Sequence, residues 1–313
     1  MTDSDQTKVT CEKPRVRRSI WLTVLLGVTA VLVLEMAFPQ RLLTAPVPDT
    51  VDMADMTWVE VRSAVEHGYT VAIVATGGIE QNGPHMVLGK HDYIVHKTAN
   101  RIARELGSTL VAPVVSYVPE GDYEPPSGNM LYPGTLGVSE PVFAGVLEGI
   151  ARSLKRAGFK SICFIGDHGG SQAMQAQVAA KLTREWAGRT IVLHLSDCYN
   201  VDEPQTKYLR DKGEPQSALG DHAGLIDTAD LMAAHPQGVD LARLSNLPMR
   251  SEPPGHSGDP THATADYGAA LLDIKVAAAV KQIRATLASK SSANETPMQA
   301  TMLAPAAATP ARR

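Results

Sequence analysis

Three stretches of this chain place acids and histidines where apolar runs give way to glycine. In Gly77-Gly78-Ile79-Glu80-Gln81-Asn82-Gly83-Pro84-His85 a carboxylate follows an apolar run, Gly83-Pro84 fixes the backbone behind it, and His91-Asp92 follows. Carboxylate and imidazole are the donors that zinc, manganese and similar ions take. Glu80, His85, His91 and Asp92 are therefore candidate donors, although not all can coordinate. His85, after Pro84, suits the orienting of a ligand from behind. The second stretch, Cys163-Phe164-Ile165-Gly166-Asp167-His168-Gly169-Gly170-Ser171-Gln172, puts His168 at another strand exit. The two glycines after it let backbone approach an ion or an anionic oxygen closely. The third, Gly220-Asp221-His222-Ala223-Gly224-Leu225-Ile226-Asp227-Thr228, places His222 in a loop and Asp227 in the first turn of a helix, pointing back toward the site. Blander readings stand beside these: a loop glutamate capping a helix, Ser171 as an N-cap, and an acid favoured by a helix dipole. Taken together the clusters point to a metallohydrolase.

The elements that must hold these residues are legible as alternating patterns. Thr70 to Ala75, Thr109 to Val115, Ser161 to Ile165 and Thr190 to Leu195 are nearly continuous apolar runs, as strands buried on both faces must be. Helical periodicity covers Thr57 to Glu66, Tyr93 to Leu106, Glu140 to Ala157, Ser171 to Ala187, Ala223 to Ala234 and Ala265 to Leu287. Such alternation predicts an α/β fold with a mainly parallel sheet covered on both sides. Ligands of such sheets bind beyond the carboxyl ends of the strands, where the first two clusters fall.

Composition narrows the partners. The 313 residues are 44% apolar and carry a net charge of −4, ample for a core and without the basic stripe that a nucleic-acid partner needs. A small-molecule substrate follows. Three cysteines are too few for a disulfide scaffold. No Gly-x-Ser-x-Gly elbow, P-loop lysine or cysteine beside a base is present, which disfavours covalent catalysis and nucleotide binding. Arg15, Arg17 and Arg18 precede the apolar run Ile20 to Leu34, extendable to Phe38. Residues 1–45 are expected to be either a cleaved export signal or an uncleaved inner-membrane anchor built on residues 20–38. The remainder would then be exported, to the periplasmic or extracellular side. Residues 39 to 53 read as a linker, 46–287 as the catalytic domain, and 288–313 as a disordered tail.

Glu80-Gln81-Asn82-Gly83-Pro84-His85 resembles the Glu-Gln-His-Gly-Pro-His signature of the creatininase (creatinine amidohydrolase) family. Asp167-His168-Gly169-Gly170 is similar to its Asn-Gly-His-Gly-Gly turn. Tyr132-Pro133-Gly134-Thr135, His222-Ala223-Gly224 and Gly258-Asp259-Pro260 match further landmarks in the same order, over Met56 to Ile283. The resemblance implies a three-layer α/β/α sandwich, often a homo-oligomer, with a metal pair at the strand ends. It also implies hydrolysis of a non-peptide C–N bond, of cyclic amide or formamide type, by metal-activated water; one branch processes peptides. Carried over by position, Glu80 and His168 are metal ligands, His222 a proton-transfer or orienting residue, and Asp227 a ligand or water-positioning acid. Asn82 stands where the family has a metal-binding histidine. The bridging aspartate falls at His91, so either His91 replaces it or Asp92, one residue later, takes the role. One or two divalent ions, zinc or manganese, are expected. The competing reading is a non-catalytic small-ligand-binding protein on the same fold.

Overall fold

The structure, a computed structural model, describes residues 46–246 and 255–300, within a compact unit that begins at Pro46. The signal or anchor reading of residues 1–45 and the tail beyond Ala300 lie outside these residues. Four strands, β1 (Val71–Thr76), β2 (Thr109–Val115), β3 (Ser161–Gly166) and β4 (Ile191–His194), form one parallel sheet in the order β2-β1-β3-β4. In the central strands Val71 pairs with Thr109 on one side and with Ser161 on the other.

The strands read as unbroken apolar runs because both faces are covered. Ala72, Val74, Ile162 and Phe164 point to one face, where helices α1 (Trp58–Glu66), α3 (Glu140–Ala157) and α4 (Gln172–Glu185) bring Ala64, Phe143, Leu147 and Leu182. Their neighbours Val71, Ile73, Cys163 and Ile165 point to the other face. There α2 (Lys90–Leu106) and α9 (Ala265–Ala300) bring Val95, Ala99, Ile102, Val276 and Ile283. The result is the expected α/β/α sandwich. Between β4 and α9 the chain adds α5 (Ser196–Tyr199), α6 (Asp202–Asp211), α7 (Gln216–Leu219) and α8 (Leu225–Ala234), which wall the carboxyl end of the sheet. Helix α1 opens on a capping box, with Thr57 and Glu60 satisfying each other's backbone amides.

Three boundaries differ from the sequence reading. The linker ends sooner, because Asp52 forms a parallel bridge to Val111 and its Oδ1 pairs with His96 at 3.0 Å. Helix α9 continues past Leu287 through Ala300, since Ala288-Ser289-Lys290 offers no glycine to stop it and Ser289 Oγ bonds back to Thr286 O at 2.8 Å. Helix α2 starts at Lys90 rather than Tyr93, which draws His91 and Asp92 into its first turn.

Candidate metal centre

The strand order fixes where a ligand can sit. Strand β1 leads by way of α2 to β2 on its left, whereas β3 leads by way of α4 to β4 on its right. A crevice therefore opens between the carboxyl ends of β1 and β3. Glu80 follows β1 and His168 follows β3, so the chain delivers them to opposite walls of that crevice. The third donor comes from α2. Successive helical side chains are rotated by about 100°, so His91 and Asp92 cannot face the same way. His91 faces the crevice.

Glu80, His91 and His168 bring their donor atoms within 4.8 Å of one another, all three buried. Glu80 Oε1 lies 2.7 Å from His91 Nε2, and Oε2 lies 3.1 Å from His168 Nε2. Burial alone would raise the Glu80 pKa, but hydrogen bonds from His168 and His91, with the Lys90 charge, hold it well below the carboxylate range. His91 passes its other nitrogen to Asp167, Nδ1 to Oδ2 at 2.7 Å, and Asp167 Oδ1 meets Lys275 Nζ at 2.8 Å. Lys275 also pairs with Asp230 at 2.9 Å. The Asp167 carboxylate accepts from His91 Nδ1, so a neutral ring that gives Nε2 to an ion, in place of its bond to Glu80, keeps its proton on Nδ1.

His168 Nε2 is also 3.1 Å from Glu120 Oε2, and Asn129 Nδ2 donates to both Glu80 and Glu120. Burial pulls the His168 pKa down, yet the Glu120 and Glu80 carboxylates carry it up to about 9. A second ring proton would sit on Nδ1, where the Gly170 amide already donates at 3.1 Å, so the turn opposes that charge. His222 stands over the other side of Glu80, with Nδ1 3.8 Å from Oε1. Its Nε2 lies 3.0 Å from the Gln81 carbonyl and 2.9 Å from the Gln81 side-chain amide nitrogen. Either tautomer therefore has a partner. Burial, then the Lys90 charge, lowers the His222 pKa and keeps the ring neutral.

The donor set fits a divalent ion. Two imidazoles and one carboxylate with room for a further ligand are a catalytic zinc set, and manganese accepts the same atoms. Glu120 Oε1 adds a buried carboxylate oxygen with no hydrogen-bond partner among the described residues, a need that a nearby cation meets. A neutral imidazole that gives Nε2 to an ion carries its proton on Nδ1, so loading requires the Gly170 amide to swing off His168. The Gly169-Gly170 pair permits that movement. A cavity of about 650 Å³ opens over the centre, bordered by His168, His222, Asp227, Tyr199 and Ser257, and matches a small-molecule substrate.

The other sequence candidates separate. Asp92 is not with the donors: its Oδ1 accepts from the Gly78 amide at 3.2 Å, and a Cβ on Gly77 would lie 1.8 Å from that oxygen. The acid thus closes the loop after β1, and its neighbour His91 takes the place in the centre. Asp227 borders the cavity but is bound to Lys90 Nζ at 2.9 Å and to the Ala223 amide at 2.7 Å. Asn82 is fully buried and donates to the carbonyls of Glu80 and Val87 at 2.9 and 3.2 Å, so it braces the loop. His85 turns away to Thr228 Oγ1 at 3.0 Å and orients none of the three donors. Sequence reasoning missed Lys90, Glu120, Asp167 and Lys275. One signal was available: Glu120 follows β2 as Glu80 follows β1.

A parallel sheet with two imidazoles and a carboxylate at its switch point, below a cavity of small-molecule size, belongs to the metal-dependent hydrolases. Comparison with known proteins narrows the class. Residues 54–283 match the family model for creatininase, creatinine amidohydrolase, and the chain belongs to the creatininase family. It is 27% identical over 217 residues to the creatinine amidohydrolase of Pseudomonas putida, covering 66% of this chain and 80% of that one. It is also 27% identical over 209 residues to the mycofactocin precursor peptide peptidase of Mycolicibacterium smegmatis, covering 63% and 78%. A crystal structure of creatininase shares the fold with a TM-score of 0.61 at 23% identity, over 75% of this chain and 97% of that one.

Proposed function

We propose that this chain hydrolyses a non-peptide C–N bond in a small molecule of the cyclic amide or formamide type, with a divalent ion, zinc or manganese, held by Glu80, His91 and His168. The observation that carries this reading is the convergence of those three donors at the switch point. The Pseudomonas putida relative is by name an amidohydrolase, and creatininase structures of manganese and zinc–zinc type share this fold. Polarisation of the amide carbonyl and acidification of water are the chemistry such an ion supplies when bound. His222, neutral and partnered by Gln81 in either tautomer, accepts a proton from the attacking water and returns it to the leaving nitrogen. Asp227, held by Lys90 and the Ala223 amide at the cavity wall, orients the water or a substrate N–H. Asn129 and Glu120 keep Glu80 and His168 in place.

The same reading takes residues 1–45 as a signal or anchor, residues 46–287 as an exported, periplasmic or extracellular catalytic unit, and the working form as a homo-oligomer. The arginines before Ile20 and the apolar run after them support the export.

The test is elemental analysis of the full chain and its His168→Ala variant, followed by a screen of lactams and formamides. Bound metal that disappears in the variant, together with hydrolysis of one of these substrates by the parent alone, is the expected result. A parent that stays metal-free after reconstitution with zinc and manganese refutes the reading.

A further inference from the structure

Lys90 is fully buried, and it lies inside the charged centre rather than at its margin. Its Nζ is 2.9 Å from Asp227 Oδ2 and 3.5 Å from Glu80 Oε1. The two oxygens of Glu80 are thus divided: Oε2 faces His168 and Asn129, whereas Oε1 is shared between His91 and the Lys90 ammonium. A second cation beside Glu80 on the Asp227 side needs those same two carboxylates, and the ammonium already lies between them. The remaining side-chain donor near that place among the described residues is His222 Nδ1, 3.8 Å from Oε1. Asn82, on the same loop, spends its amide nitrogen on backbone carbonyls and holds its Oδ1 buried without a hydrogen-bond partner among the described residues, and the Asp227 oxygen that meets Lys90 also takes the Ala223 amide.

We infer that the Lys90 ammonium is a built-in cation filling the place of a second metal ion, so that the centre takes one divalent ion per chain and removal of that ammonium creates a second ion site between Glu80 and Asp227. The physical reason is exclusion by charge and by space. A divalent ion next to an ammonium at ion-pair distance is repelled by it, and Glu80 and Asp227 are neutralised without the ion. Lys90 also acts as a positioning residue, because it ties Asp227, on α8, to the start of α2 and so sets where that acid meets the cavity. This inference rests on the reading of Glu80, His91 and His168 as metal ligands.

The experiment measures ions bound per chain, by elemental analysis after dialysis and by calorimetric titration with Mn2+ alone, on the full-length protein. The wild type is expected to bind one ion, Lys90→Ala two, and the double variant Lys90→Ala with Asp227→Asn one. Two ions in the wild type, or only one in a folded Lys90→Ala, overturns the inference and leaves the metal reading standing. No ion in the wild type refutes the metal reading and this inference with it. If Lys90→Ala does not fold, the paramagnetic resonance spectrum of the Mn2+-saturated wild type decides: isolated Mn2+ supports the inference, and a spin-coupled pair overturns it.

Discussion

Replacement of Asp167 by Asn tests whether His91 is a metal ligand held by its partner. The His91 Nδ1 to Asp167 Oδ2 bond is 2.7 Å long, between side chains 8% and 9% exposed, so water does little to weaken it. Asn keeps the shape but has one acceptor oxygen where Asp has two. If that oxygen takes the His91 proton, the NH2 group faces the Lys275 ammonium, donor against donor; if it serves Lys275, His91 loses its anchor. Loss of such an outer partner weakens metal binding about 10- to 100-fold, or roughly 1.4–2.7 kcal/mol. Lys275 keeps Asp230 at 2.9 Å, so the fold survives. Calorimetric titration of metal-free wild type and Asp167→Asn with zinc gives the two affinities, and circular dichroism confirms equal folding. An unchanged affinity in a folded variant refutes the argument, because it means that His91 is not a ligand or needs no orienting.

Two further outcomes follow from particular contacts. Asn82→Ala removes the brace of the Glu80 loop and should cost about 1–3 kcal/mol of stability by denaturant titration while leaving bound metal unchanged; lost metal at full stability would make Asn82 a ligand after all. Asp230 has its carboxyl pushed up to about 6 from 3.8 by burial, with Lys275 opposing and Asp167 adding to the push. The folded state then holds this proton more tightly than the unfolded chain, so the contribution is full below pH 3.8 and is lost as pH rises to about 6. That loss is on the order of 3 kcal/mol, and Asp230→Asn should gain on the wild type by about this amount across that window. A stability difference independent of pH would contradict it.

The layers were legible because burial on both faces writes itself into a strand as an unbroken apolar run, as in Val71 to Ala75. Glu80 and His168 were legible for a related reason: a polar residue next to a strand end in a parallel sheet lies at the ligand crevice. The choice between His91 and Asp92 was not. It depends on the starting residue of α2, and Gly89 gives that start no side-chain cap to mark it. Lys90, Asp167 and Lys275 were hidden by a different effect. Lysine is ordinarily a surface residue, and only the folded chain shows that two lysines are enclosed by four carboxylates from three segments. Asn82 had the position of a ligand in the motif, and its use as a loop brace depends on carbonyls that only the fold brings near.

The placement of the donors also sets the order of events in folding. Glu80 and His168 are 88 residues apart in sequence, and they meet only when the chain after β2 has crossed over β1 and β3 has docked on its far side. A nascent or refolding chain has no assembled cradle until its sheet centre closes, so an ion cannot nucleate the fold. It arrives as a lock. Binding of this kind retards unfolding and leaves the refolding rate unaltered, a pattern that stopped-flow measurements with and without zinc would reveal. A faster refolding rate with zinc would show the cradle forming early instead. Such a lock supplies persistence through slow opening, and because refolding is unaltered it deepens the native well by the same factor.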